Sequence, residues 1–266
     1  MIKNNLYLDS LEKAGIEPNF WCSNEYFEKA KLKIIEKNNV LQIIDPDNNQ
    51  NILPPLNIEY GDFLAWFIGD IWSDLIGFED YAIEINYFPK KRFLDYNFIY
   101  DPKSFLDLSG GQWAVFRKNS RKFLNRNKHS QFRYINISSE LSKNIYNIFI
   151  KWLESKNENE EIHDDEIIMK YLEYGNNRKI LINEYDEIYG INIWDENYQY
   201  INFRYCFCKP NQFLSEYMRL LFYTDSDILN KNKLVNDGGS LGNENLYNFK
   251  MKLNPIKINQ IFSYER

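Results

Sequence analysis

Asp237 stands in the run Asn236-Asp237-Gly238-Gly239, a carboxylate followed by two residues without side chains. Glycines let a backbone approach a ligand closely and take turns that other residues avoid, so an acid and free amides can be offered together. Arg204 stands in Phe203-Arg204-Tyr205-Cys206-Phe207. A strand this apolar buries much of itself, so the guanidinium is expected to pair with an acid or a bound anion; Glu216, in the next helix, is the candidate acid. An acid that orients or deprotonates a nucleophile, with cations that hold developing negative charge, suffices for attack on an acyl carbonyl. The plain alternative at 236–239 is a tight turn with Asp237 as a local acceptor.

A second signal is electrostatic. Residues 117–133 hold Arg117, Lys118, Arg121, Lys122, Arg126, Lys128 and Arg133 and no acid, a local charge of +7. Residues 151–187 hold five bases and eleven acids, a local charge of −6. A positive patch on an acidic protein points to a phosphate-bearing partner, a nucleotide or the end of a charged tRNA; the alternative is the solvated face of an amphipathic helix. The whole chain is too acidic for broad nonspecific duplex binding. Cys206 and Cys208 share a strand face and read as small core residues, and with Cys22, His129 and His163 scattered there is no paired metal-ligand spacing. No P-loop or dinucleotide fingerprint occurs.

These residues need elements to position them. Alternation predicts strands at 17–22, 33–45 (broken by a hairpin at 37–39), 81–87, 95–100 and 131–137. Ser23 is a candidate cap for a helix over 24–32, and 62–75 reads as a strongly apolar helix. From Gly111, Trp113, Phe116, Ser120, Phe123 and Leu124 fall at helical spacing, with bases opposite. In the second half, Leu141, Ile145, Ile148, Phe149, Trp152 and Leu153 form a helical stripe begun by Ser138-Ser139, and a second helix runs from Asp164 to Gly175. Strands follow at 179–185, 188–194 and 198–208, then a helix through Leu214, Met218, Leu221 and Phe222, a short strand at Leu234-Val235, a helix through Leu246, Phe249 and Leu253, and a last strand from Ile256 to Phe262. The alternation predicts a mixed α/β or α+β protein, and the order of the second half resembles the acyltransferase fold of the GNAT superfamily. The expected division is 1–137 and 138–266, without a flexible linker. Gly-Gly before Phe-Arg-Lys at 110–118 and before Phe-Lys at 238–250 is a weak internal echo of duplication.

Two blocks carry a more particular resemblance. Val235-Asn236-Asp237-Gly238-Gly239-Ser240-Leu241-Gly242, followed by Leu246-Tyr247-Asn248-Phe249-Lys250, resembles the close of the Fem-like and phosphatidylglycerol-lysyltransferase-C-terminal-like proteins. Gly110 to Phe123, GGQWAVFRKNSRKF, resembles another segment of that group. The resemblance implies two GNAT-like domains in tandem, mostly antiparallel sheets flanked by helices, and transfer of an acyl or aminoacyl group onto an amine or hydroxyl. It implies that Asp237 orients or deprotonates the acceptor and that Lys250, with Arg204, stabilises negative charge. The Gly110–Arg126 segment, with Arg117, Arg121 and Lys122, would hold a donor phosphate, and Gly238 and Gly239 would admit the ligand. The loop at 237, the helix bearing Lys250 and Arg204 are expected to wall one crevice. Two departures stand out. The lysyltransferases have an Asp three residues before the strand Arg, and here Ile201 takes that place. The turn Cys208-Lys209-Pro210-Asn211-Gln212-Phe213 lacks the glycines with which coenzyme-A-binding relatives grip pyrophosphate, and Pro210 has no amide hydrogen.

Composition sets the outer limits. The 266 residues carry 32 Lys+Arg against 38 Asp+Glu, a net charge of −6, with 44% hydrophobic residues and 17% aromatic, which is too apolar for disorder. No run of about 18 uncharged apolar residues would span a bilayer. The amino-terminal segment lacks the apolar core of a signal peptide, and three cysteines fit free thiols in a reducing cytoplasm. The expectation is therefore a cytoplasmic transferase without metal or resident cofactor, using aminoacyl-tRNA or acyl-CoA as donor and a small-molecule or peptide acceptor. The alternatives are a non-catalytic nucleotide- or RNA-binding module on the same fold, and an acyl-CoA-dependent N-acetyltransferase.

Overall fold

Strands with apolar side chains on both faces need cover on both sides, and amphipathic helices supply it. The computed structural model describes residues 4–13, 15–37, 40–47, 51–56, 65–68, 90–137, 139–155, 165–211 and 213–265. Eleven strands are described: β1 (Lys33–Lys37), β2 (Val40–Ile44), β3 (Asn51–Leu56), β4 (Ala65–Ile68), β5 (Lys90–Tyr100), β6 (Arg133–Asn136), β7 (Asn177–Ile182), β8 (Ile188–Glu196), β9 (Tyr200–Cys208), β10 (Leu234–Asn236) and β11 (Lys257–Glu265). The helices are α1 (Asn4–Lys13), α2 (Asn24–Lys29), α3 (Ala114–Arg126), α4 (Ser139–Glu154), α5 (Asp165–Tyr174), α6 (Leu214–Tyr223), α7 (Ser226–Leu229) and α8 (Glu244–Met251), with single 3-10 turns at Pro102–Phe105 and Gly111–Trp113.

Strands β1–β3 form a small antiparallel sheet. The other eight form one sheet in the order β4-β11-β5-β10-β9-β8-β7-β6. It is antiparallel except where β10 runs parallel to β9, so the architecture is mixed α/β with mostly antiparallel sheets, as the alternation predicts. The sheet runs unbroken past residue 137, because β5 from the first half pairs with β10 and β11 from the second.

Each face buries a separate core. On one, Tyr26 and Phe27 of α2, Ile145 and Phe149 of α4, and Tyr171 of α5 pack on Ile180, Ile191, Ile193 and Phe207. On the other, Phe116 of α3, Phe222 and Tyr223 of α6, and Leu253 just past α8 pack on Phe98, Tyr100, Trp194, Ile201, Phe203 and Val235. Each fully buried aliphatic or Phe side chain contributes roughly 1.5–3 kcal/mol.

Most predicted elements of the second half lie within a few residues of their observed places. Ser23 caps α2 by accepting from the Tyr26 amide at 3.0 Å. Two expectations fail. Residues 17–22 form no strand; this irregular segment, with a turn at Phe20-Trp21, crosses the sheet, where Glu17 accepts from Tyr200 of β9 and Asn259 of β11. Within the expected helix 62–75, residues 65–68 are strand β4, paired with β11; the rest of that stretch and the expected strand 81–87 lie outside the described residues. Helices α1 and α7, strand β3 and the 3-10 turn at Pro102–Phe105 carry no expectation from the sequence. The Pro54-Pro55 pair in β3 is accommodated because β3 is an edge strand. No described helix is long and apolar enough to cross a membrane.

Candidate functional site

Strands β9 and β10 run side by side only for Tyr200–Asn202 against Leu234–Asn236. They then part, because the chain leaves β10 in a turn. The Gly238 amide donates to Asn236 Oδ1 at 3.0 Å, closing that turn. Gly238 takes φ +62°, and a β-carbon there would lie 3.0 Å from the Phe20 ring. Gly239 is required for space: a β-carbon would sit 2.0 Å from Asp95 Oδ2. That carboxylate accepts from the Ser240 amide and hydroxyl, both at 3.0 Å, and from the Leu241 amide at 2.7 Å.

Asp237 and Lys250 meet inside this turn, both buried. Arg219 of α6 donates to Asp237 through Nε and Nη2, each at 3.2 Å, and the Tyr223 hydroxyl donates at 3.4 Å. Lys250 Nζ lies 3.3 Å from Asp237 Oδ1 and donates to the main-chain oxygens of Asp237 and, at 2.7 Å, Gly239. Burial pulls the Lys250 ammonium below the ordinary lysine value, against the pull of Asp237. Burial would also lower Arg219, but the Asp237 carboxylate together with Cys206, Tyr223 and Tyr100 raises it, and the guanidinium is held more firmly protonated. Arg219 lies between the rings of Phe203 and Phe249, 5.2 and 5.0 Å from their centroids. Thus the predicted acid and ammonium form one cluster, with every described polar atom of the carboxylate occupied.

Arg204 lies elsewhere. The β8–β9 register shifts at Ile193/Trp194. This bulge puts Arg204 and Tyr205 on the same face as Asn202, while Phe203 and Cys206 join the opposite core. Bulges re-aim side chains in this way. The partner of Arg204 is Asp195 of β8, fully buried: Nε donates to Oδ2 at 2.6 Å and Nη2 to Oδ1 at 3.1 Å. Asp195 also accepts from Ser23 Oγ (2.8 Å), Tyr171 OH (2.5 Å) and Asn202 Nδ2 (2.9 Å). Phe20 and Tyr26 cover the guanidinium, with centroids 4.4 and 4.9 Å away. Burial alone would lower its pKa; Asp195 and Tyr171 raise it instead. Arg204 Nη1 and Asn202 Oδ1 are buried and have no partner among the described residues. Other buried polar side chains lie across the same sheet: Asn259 stands opposite Asn97, Asn236 opposite Asn202, and Asn202 opposite Asp195.

Two expectations are corrected here. Arg204 and Asp237 do not share one crevice, since strand alternation sets them on opposite sheet faces. Glu216 is not the acid of Arg204: it lies on the α6 side, accepting from Asn119 Nδ2 at 3.0 Å and Ser215 Oγ at 3.1 Å. Gly238 and Gly239 belong to the Asp237 cluster. Arg117 and Arg121 line an open cleft of about 700 Å³ with Leu108, Ser109, Gly110 and Leu220. Lys122 instead stacks on the Phe213 ring, 4.7 Å from its centroid.

Asp195, Arg219, Tyr171 and Ser23 complete these clusters and carried no functional expectation. Arg219 had a readable signal, three residues before Phe222 on the buried stripe of α6. Asp195 had none, because an acid ahead of Glu196-Asn197 reads as hairpin chemistry. In the Cys208–Phe213 turn the Lys209 amide donates to Tyr189 O at 2.8 Å, and Phe213 takes φ +71°. Among the described residues no three His, Cys, Asp or Glu converge on a metal position.

No protein-family model and no curated protein matches the sequence. Solved structures do match in fold. A conserved protein of unknown function from Bacteroides thetaiotaomicron is 12% identical, covering 93% of this chain and 90% of that one, with a TM-score of 0.70. L-PGS from Bacillus licheniformis is 14% identical, covering 97% and 91%, with a TM-score of 0.62. The C-terminal domain of a putative lysylphosphatidylglycerol synthetase from Agrobacterium fabrum is 12% identical, covering 99% and 93%, with a TM-score of 0.57. The resemblance read from the two sequence blocks therefore holds at the level of fold, over nearly the whole chain.

Proposed function

We propose that this chain is an aminoacyl- or acyltransferase that moves its group from an ester, an aminoacyl-tRNA, onto an amine or hydroxyl. One observation carries the reading: the fold is shared, almost end to end, with two lysylphosphatidylglycerol synthetase structures. The Arg204 cluster supports it, because a buried guanidinium with an unspent donor is a preorganised site for a carboxylate or a developing oxyanion. In the transfer, the acceptor nitrogen or oxygen bonds to the acyl carbon, the ester C–O bond breaks, and the acceptor proton leaves with the tRNA hydroxyl. Asp195 holds Arg204 in place, filling from the neighbouring strand the role that Ile201 vacates. Asp237, Arg219 and Lys250 act as positioning residues that fix the 237–241 turn. The turn after β9, without glycine and with Pro210 lacking an amide hydrogen, favours this donor over acyl-CoA.

A non-catalytic RNA- or nucleotide-binding module is the second reading, favoured by the saturation of Asp237 and Lys250. Mass spectrometry of products after incubation with a mixed aminoacyl-tRNA pool and an acyl-CoA panel separates the two. Transfer from tRNA that falls at least ~100-fold in Arg204→Lys, with thermal stability retained, supports the enzyme. No product from any donor, with RNA binding intact, replaces it with the module.

A further inference from the structure

The irregular segment before α2 covers a polar floor. Asn97 of β5, Asn236 of β10, Asn202 and Arg204 of β9 and Asp195 of β8 are all buried. Side chains of these types are mostly left to solvent. Part of their cover is the Phe20 ring, whose centroid lies 4.4 Å from the Arg204 guanidinium carbon and which packs on Gly238. The ring itself is only partly buried. The segment is fastened at its two ends. Ile16 O accepts from Tyr198 OH, and Glu17 accepts from Tyr200, Lys257 and Asn259. Cys22 O accepts from Asn197 Nδ2 at 2.9 Å, and Ser23 Oγ donates to Asp195 at 2.8 Å. Between these ends the turn bonds to itself. The Trp21 amide donates to Asn19 Oδ1 at 3.0 Å, the Cys22 amide to Asn19 O at 3.1 Å, and the Ser23 amide to Trp21 O at 3.0 Å. With the Asn97 amide oriented to satisfy both its ends, its oxygen accepts from the Phe20 amide at 3.2 Å. Because the turn is no part of the strand ladder, displacing Phe20 leaves the ladder intact.

On the floor, one donor and one acceptor are unspent. Arg204 Nη1 and Asn202 Oδ1 are buried without a partner among the described residues. Both side chains bond the same oxygen, Asp195 Oδ1, Arg204 through Nη2 at 3.1 Å and Asn202 through Nδ2 at 2.9 Å. The two free atoms therefore belong to one small region. Burying polar groups in this state is unfavourable, and a ligand that partners both removes the penalty. A neutral carbonyl flanked by an N–H does so: its oxygen accepts from Nη1 and its N–H donates to Oδ1. A carboxylate would serve the arginine alone. It would set lone pairs against Asn202 Oδ1 and a second negative charge near Asp195.

We infer that the turn carrying Phe20 is a lid over the Arg204 site, and that the group it admits is a neutral carbonyl flanked by an N–H donor. That this group belongs to a transferred or accepting substrate rests on the transferase reading; the lid does not. Phenylglyoxal, which modifies accessible guanidinium groups, tests it on the full chain, with peptide mass spectrometry reading each arginine. Arg219 is the internal reference. Arg204 and Arg219 are both 8% exposed, and each is bound through Nε and Nη2 to a buried aspartate. The rings over Arg219, however, Phe203 and Phe249, are carried by a strand and a helix. Arg204 should be modified at least ~10-fold faster than Arg219 in the parent, because a lid opens locally and a core helix does not. Phe20→Ala, or Phe20→Leu where alanine fails to fold by thermal melting, should speed Arg204 further and leave Arg219 unchanged. Equal rates at the two arginines, in parent and variant alike, overturn the lid and make the segment a fixed cover. Acetamide in excess should slow modification of Arg204 alone, and sodium acetate at the same concentration should not. Protection by acetate, or by neither, overturns the ligand. A mobile lid with no product from any donor keeps the lid and removes the enzyme; product formation with both arginines modified alike does the reverse.

Discussion

At the scale of single residues, the two glycines of the 236–239 turn have different reasons to be there. Gly238 answers a backbone angle and a ring; Gly239 answers a carboxylate. Gly239→Ala forces Asp95 aside and strands the Ser240 and Leu241 amides it serves. The expected cost is about 3 kcal/mol, read as a lowered urea midpoint at unchanged slope. The Asp-Gly-Gly run was legible as a turn and Asp237 as a residue with a task. Its orientation was not legible, because whether a carboxylate faces a cleft or a buried arginine depends on α6, and α6 reaches it only after folding. Arg204 was legible as a buried cation in need of an acid. The identity of that acid turned on a register shift between β8 and β9, and among neighbours as uniformly apolar as Phe203, Tyr205, Cys206 and Phe207 the reversed alternation is not readable.

At the scale of elements, α6 is pressed onto the sheet where β8 has no side chain. A β-carbon at Gly190 would lie 3.0 Å from Met218 Sδ and 3.1 Å from Phe207 O. Gly190→Val is therefore expected to lift α6 from the sheet and cost about 1–3 kcal/mol, with a matching fall in thermal midpoint by calorimetry. Helices of this protein were the most readable elements. Ile145, Ile148 and Phe149 or Met218 and Phe222 repeat with a helix's period, and packing reinforces what the period predicts. Residues 17–22 misled because Phe20, Trp21 and Cys22 look like a strand, whereas the Phe20 ring covers Arg204 and Gly238, and Trp21 and Cys22 join the core under α2. The stretch 65–68 misled because a short apolar run reads alike as strand or helix over a few residues.

At the scale of the whole molecule, Glu17 ties the crossing segment to the far strand. It accepts from Tyr200 OH, from Lys257 Nζ at 2.5 Å and from Asn259 Nδ2 at 2.7 Å. Burial would raise its pKa, but these donors and the lysine charge lower it below the usual 4.5. A depressed carboxylate stabilises the fold above its unfolded value and loses that contribution as pH falls through the folded one. The melting-point advantage of the parent over Glu17→Gln should thus be full near neutrality and shrink steadily below about pH 4.5, as differential scanning fluorimetry at stepped pH would record. Equal differences at pH 7 and pH 3 would show that the tie works through packing, not charge.

Strand β11 lies between β4 and β5, with antiparallel partners on both sides. The edge of β5 that faces it stays open until residues 257–265 have left the ribosome, although β5 itself emerged more than 150 residues earlier. Vectorial completion of the first half during translation is thereby ruled out. The nascent chain must shield that unpaired edge, by transient contacts or a chaperone, until β11 slots in.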